Sequence, residues 1–144
     1  YTYLKTLAEK NSVKFFYETN VGAGLPVLTT LNDLITSGDI ILRIEGVLSG
    51  TLSFIFNTFG ETDRPFHEIV REAMEKGYTE PDPRTDLSGT DVARKLLILA
   101  RETGLELEPS DVQVEQILPE ACLKAPDVPS FMAEFEKYAD YFYG

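Results

Sequence analysis

The hydrophobic pattern of this chain switches several times between a period of two and a period near 3.6. The stretch "VKFFYET", Val13 to Thr19, is rich in aromatic and β-branched residues and predicts a strand. After a glycine pair, apolar Val27, Leu28, Leu31, Leu34 and Ile35 recur at steps of three and four, which predicts a helix. Pro26 suits its first turn and Gly38 its C-terminal stop. In "DIILRIEGVLSG" Leu42 and Ile44 alternate with Arg43 and Glu45, so a second strand is predicted. Ser49 or Thr51 then caps a helix with Leu52, Ile55, Phe56 and Phe59 on its apolar face. Another helix carries Phe66, Ile69, Val70, Ala73 and Met74 and stops at Gly77. "TDVARKLLILARETG" predicts a third, ended by Gly104. "DVQVEQILP" alternates and predicts a strand from Val112 to Leu118. The closing segment reads as one amphipathic helix with Phe131, Phe135, Tyr138 and Phe142 in register.

Three strands among five or six helices predict an α+β domain, a mixed β-sheet with helices packed on it. So few strands under so many helices suggest an incomplete sheet. The opening "YTYLKTLAEKN" reads like the tail of a helix already under way, so residues 1–144 are expected to be one domain cut from a longer chain.

Composition narrows the function classes. The chain has 144 residues, 43% hydrophobic and 26% charged, as a soluble domain would. No apolar run nears the roughly 20 residues of a membrane span, so no membrane role is expected. A net charge of −11 argues against a nucleic-acid partner, whose phosphates need a basic surface. Cys122 is the only cysteine, which excludes an intrachain disulfide and suits a reducing, cytoplasmic setting. His67 is the only histidine and is expected at the surface.

Two stretches carry chemistry. "VGAGLPV" follows a strand and opens a helix, as a dinucleotide loop would, but Val27 stands where the third glycine of G-x-G-x-x-G belongs. That leaves a tight turn in which Gly22 and Gly24 supply positive φ, or a turn of carbonyls beside Glu18 holding a small hard cation. The second stretch, Gly77 to Leu97, places Glu80, Asp82, Asp86 and Asp91 near Arg84, Arg94 and Lys95. Asp91 and Lys95 are one helical turn apart. At roughly 100° per residue they form a narrow polar stripe, with Ile98 on one side and Val92, Leu96, Leu97 and Leu99 on the other. Either they are an ordinary surface pair, or they are partly desolvated and available for proton transfer.

The blocks "YETNVGAGLPVLTTL", "RIEGVLSGTLSFIFN" and "GYTEPDPRTDLSGTDVARKLLILARETG" resemble three signature blocks of homoserine dehydrogenase, in that family's order. The likeness is to the dehydrogenase half of bifunctional aspartokinase–homoserine dehydrogenases, and it is looser beyond Leu105. It implies interconversion of aspartate semialdehyde and homoserine with NADP or NAD, in the aspartate pathway to threonine and methionine. It implies the substrate-binding and dimerisation domain, with the Rossmann domain absent and the isolated chain inactive. By resemblance Lys95 is the general acid and Asp91 its orienting partner. Glu80, Asp86, Tyr78, Gly50 and Thr51 line the substrate pocket. Glu18 and the carbonyls of Val21, Ala23 and Leu25 hold a monovalent cation, sodium or potassium. A homodimer is expected, formed through sheet edges or through the aromatic C-terminal helix. The alternative is a non-catalytic regulatory or dimerisation module of the same fold.

Overall fold

The computed structural model describes residues 2–143. Its longer helices follow the predicted periodicities, except that the closing helix stops at Glu136 instead of running on to Phe142, and three one-turn helices among the described residues were not predicted. The helices are α1 (Thr2–Lys10), α2 (Thr19–Gly22), α3 (Val27–Thr36), α4 (Gly50–Glu61), α5 (Phe66–Glu75), α6 (Arg84–Leu87), α7 (Thr90–Glu102), α8 (Glu120–Leu123) and α9 (Val128–Glu136). Short 3₁₀ turns occupy Pro109–Asp111 and Ala139–Tyr143. The Ser49 hydroxyl caps α4 by accepting from the Leu52 amide at 3.2 Å. Gly38, Gly77 and Gly104 follow the ends of α3, α5 and α7 with φ of 92°, 69° and 91°, a left-handed geometry that stops a helix without a Cβ penalty.

The predicted sheet is not there. Among the described residues no segment forms a strand. The three stretches predicted as strands lie between helices without regular structure, and none pairs with another. The α+β reading is therefore corrected to an all-helical fold with unpaired connecting segments. Alternation makes a stretch suitable for a ladder, but a ladder also needs a partner's N–H and C=O groups. Unpaired, these stretches leave Phe16 84% exposed and Leu42 92% exposed.

Two apolar clusters hold the helices together. The larger unites Ile55 of α4, Phe66, Ile69, Val70 and Ala73 of α5, Leu87 of α6, Cys122 of α8 and Phe131 and Phe135 of α9. Phe66 is its centre: Phe59 and Phe135 meet it edge-on, and Phe142 stacks on it at 4.3 Å between ring centroids. The apolar face of α9 is thus used inside the molecule, while Tyr141 and Tyr143 beyond its end stay 57% and 49% exposed. His67 is also buried, at 6% exposure, contrary to the surface expectation. It lies between Phe66 and the Ile69–Val70 pair on a helix buried over a wide face, and its Nδ1 has no hydrogen-bond partner.

The smaller cluster joins Val21 of α2, Leu28 and Leu31 of α3 and Leu99 of α7. Helix α7 therefore bridges the molecule. Its start follows α6, whose Leu87 belongs to the larger cluster, and its end packs into the smaller one.

Candidate active site

The loop between α5 and α7 is fixed before it offers any chemistry. Pro83 is fully buried. Arg84 grips the Asp82 carboxylate through Nε at 2.9 and 3.0 Å, donates to the Ala125 carbonyl, and lies 5.7 Å from the centre of the Phe131 ring. That guanidinium holds the Asp82 carboxyl below its ordinary range. Short helix α6, hidden in what the sequence presents as a proline loop, turns the chain back so that Asp86 Oδ2 accepts from the Glu80 amide at 2.9 Å. Gly89 then takes φ 69° and launches α7.

These constraints gather the carboxylates. A cavity of about 440 Å³ is lined by Glu80, Thr85, Asp86, Ser88, Thr90, Asp91 and Arg94. Asp91 reaches back from this cavity to Lys95 at 2.8 Å. The Lys95 ammonium also donates to the Leu48 carbonyl at 3.0 Å, at the end of the segment entering α4. Lys95 is 22% exposed and Asp91 59%, so the lysine is the more desolvated member. Gly50, Thr51 and Tyr78 line a neighbouring open recess with Phe54. The Thr51 hydroxyl donates to the Tyr78 carbonyl at 2.5 Å and ties α4 to the loop. The Tyr78 ring meets Phe54 edge-on at 5.0 Å. Two adjoining groups result: three carboxylates around one cavity, and Tyr78 with the α4 start around the other.

The glycine loop belongs to a different feature. A Cβ on Gly22 would meet Val27 Cγ2 at 2.5 Å, while Gly24 has open space around it. Gly22 is required by packing within the turn. Neither glycine supplies the expected positive φ; Ala23 does, at 50°. The Glu18 carboxylate caps α3, accepting from the Leu28 amide at 2.7 Å and from the Thr29 amide and hydroxyl at 2.8 and 2.5 Å. These bonds, led by the Thr29 hydroxyl, hold its carboxyl below the ordinary range. The helix N-terminus that a pyrophosphate would need is thereby filled by the protein's own anion, so a dinucleotide phosphate does not fit here. The oxygens near this turn are the Glu18 carboxylate, already bonded to α3, and the carbonyls of Val21, Ala23 and Leu25, the last of which accepts from the Val27 amide at 2.9 Å. Oxygen donors are the kind a hard cation takes. Among the described residues no group of three His, Cys, Asp or Glu could hold a metal.

One buried charge escaped the sequence reading. Glu102, in the last turn of α7, has a side chain only 1% exposed. Its carboxylate accepts from the Tyr17 hydroxyl at 3.1 Å, from Asn32 Nδ2 at 3.0 Å and from Lys5 Nζ at 3.3 Å. Burial pushes its carboxyl up from the ordinary value. The available signal was position: an acidic residue in the last turn opposes the helix dipole and needs a reason to be there.

The family model described as homoserine dehydrogenase matches residues 26–140. The chain belongs to the homoserine dehydrogenase family. It is 52% identical over 138 residues to a maize bifunctional aspartokinase/homoserine dehydrogenase, described as chloroplastic, covering 96% of this chain and 15% of that protein. It is 48% identical to a homoserine dehydrogenase of Emericella nidulans, covering 89% of this chain and 36% of that one. The chain thus spans about a sixth to about a third of the length of these curated relatives. A crystal structure from Candida auris, described as a protein of unknown function, superposes with a TM-score of 0.85 at 38% identity, over 97% of this chain and 42% of that one. A homoserine dehydrogenase from Thiobacillus denitrificans does so with a TM-score of 0.67 at 30% identity, over 79% and 26%.

Proposed function

We propose that this chain is the substrate-binding and catalytic part of an NAD(P)-dependent homoserine dehydrogenase, which interconverts aspartate semialdehyde and homoserine on the route to threonine and methionine. The observation that carries this reading is the Asp91–Lys95 pair at 2.8 Å beside a carboxylate-lined cavity. The nicotinamide, when bound, supplies or removes the hydride at the carbon bearing the oxygen. As the aldehyde is reduced, charge develops on that oxygen, and Lys95 gives it a proton. A lysine ammonium has three donors. Asp91 and the Leu48 carbonyl engage two, which leaves the third for the substrate. The substrate's own ammonium needs anionic partners, and Glu80 with Asp86 supplies them. Tyr78, Gly50 and Thr51 bound the pocket on the α4 side. Glu18 and the carbonyls of Val21, Ala23 and Leu25 would hold sodium or potassium and keep the turn before α3 in shape. The retention of Asp91, Lys95 and Glu80 together favours this reading over a non-catalytic module. The single buried thiol of Cys122 supports a reducing, cytoplasmic setting in our reading, although the maize relative is described as chloroplastic.

The test is Glu80→Gln in an enzyme that joins this chain to a nucleotide domain. Losing a charge opposite the substrate ammonium raises KM for homoserine about tenfold or more, with a smaller change in kcat. An unchanged KM would reduce Glu80 to a loop residue.

A further inference from the structure

The polar stripe of α7 does not end at Lys95. At roughly 100° per residue, Glu102 falls only about 20° from Asp91 around the helix. Solvent leaves the stripe along its length: Asp91 is 59% exposed, Lys95 22% and Glu102 1%. The buried end is where three other elements arrive. Tyr17 comes from the segment leading into α2, Asn32 from α3 and Lys5 from α1. The Lys5 ammonium also lies 5.3 Å from the centre of the Tyr17 ring. One turn before Glu102, Leu99 packs against Val21, Leu28 and Leu31.

We infer that Glu102 is a positioning residue: it fixes the Glu18 turn and α3 in place against the helix that carries Asp91 and Lys95. The geometry is that of a fork. Tyr17 adjoins Glu18 in the chain, and Asn32 lies one turn beyond the Leu28 and Thr29 amides that Glu18 caps. Glu102 therefore takes hold of the residue next to the capping residue, through Tyr17, and of the capped helix, through Asn32. Apolar packing through Leu99 brings the two parts together but is non-directional. Hydrogen bonds from two separate elements to one buried carboxylate set their register. The burial that raises its carboxyl agrees with this: a carboxylate so desolvated is retained only where it is well supplied with donors. The link to catalysis rests on the dehydrogenase reading of Asp91 and Lys95. The positioning itself does not.

Amide hydrogen exchange on the 144-residue chain, without substrate, tests it. The reporters are the Leu28 and Thr29 amides, which donate to Glu18, and the Ile69, Val70 and Ala73 amides in the other cluster. Glu102→Ala speeds exchange at Leu28 and Thr29 about tenfold or more, and at the α5 amides less than about twofold. Glu102→Gln, which keeps an acceptor for Tyr17 or Asn32, recovers most of that protection. If Glu102→Ala does not fold, Tyr17→Phe removes one donor and makes the same comparison. Equal acceleration at both groups of amides would show a general stabilising role and overturn the inference. So would unchanged exchange at Leu28 and Thr29. Because no turnover is read, a wrong assignment of the reaction leaves this result standing, and the reverse also holds.

Discussion

At the scale of single residues, the site is a matter of who holds whom. Lys95 is gripped by Asp91 on its own helix and by the Leu48 carbonyl 47 residues away. A lysine held from two directions has little rotamer freedom left to lose when substrate arrives. That is the condition for an efficient proton donor. In an enzyme that joins this chain to a nucleotide domain, Lys95→Ala lowers kcat by about 10²–10⁴-fold, the usual loss for one positioned acid or base. KM changes far less, because the proton is transferred only as charge develops on oxygen. Steady-state kinetics with homoserine decides it, and near-normal kcat in the variant would remove Lys95 from the acid role. The sequence pointed to this pair because its period and its flanking apolar residues are both local facts. It gave no comparable pointer to Glu102, whose donors lie 70 to 97 residues away.

At the scale of elements, the proline loop controls the carboxylates, and the Asp82–Arg84 clamp controls the loop. Asp82 titrates below its ordinary range because Arg84 hydrogen-bonds its charged form. A depressed carboxyl contributes stability that is fully present above its unfolded-state pKa. That contribution is lost as pH falls through the lower folded-state value. Thermal melts should therefore fall in midpoint below about pH 4, and Asp82→Asn should flatten that fall while lowering stability at neutral pH. An identical acid slope in the variant would mean the clamp adds nothing. Element by element, helices and their glycine stops were legible because capping and 3.6-residue periodicity are local. Helix α6 was not: one turn carrying Arg84 to Leu87 is too short to show a period. The strands were misread for the opposite reason. The aromatic content of Val13–Thr19 and the alternation of the Ile40–Val47 run are real, but neither stretch finds a partner among the described residues. The Glu18 turn was half legible. Its glycines drew attention, yet Gly22 answers to Val27 and the strained residue is Ala23.

At the scale of the whole molecule, what is unpaired becomes the argument. These 144 residues carry no complete dinucleotide fingerprint, and the one glycine loop has its helix N-terminus filled by Glu18. The purified chain alone is therefore expected to show no NAD(P)-dependent oxidation of homoserine; measurable turnover would overturn the division of labour proposed here. The connecting segments raise a second expectation. Among the described residues no backbone group from Ile41 to Val47 is bonded to another backbone group, and Ile40, Leu42 and Val47 are 76%, 92% and 74% exposed. An alternating stretch with free N–H and C=O groups and bare apolar side chains is a template for another strand. Helix α9 offers no such surface, since Phe131 and Phe135 are already in the core. We therefore expect the chain to self-associate through the Gly38–Ser49 segment as a symmetric homodimer, because isologous pairing closes on itself. Light scattering at micromolar concentration should give about twice the 16.1 kDa chain mass. Leu42→Lys, which places a charge in the middle of that segment, should return it to monomer while leaving the helical circular-dichroism signal intact. A monomer before any substitution would remove this segment as a pairing edge, and a dimer indifferent to Leu42→Lys would move the interface elsewhere.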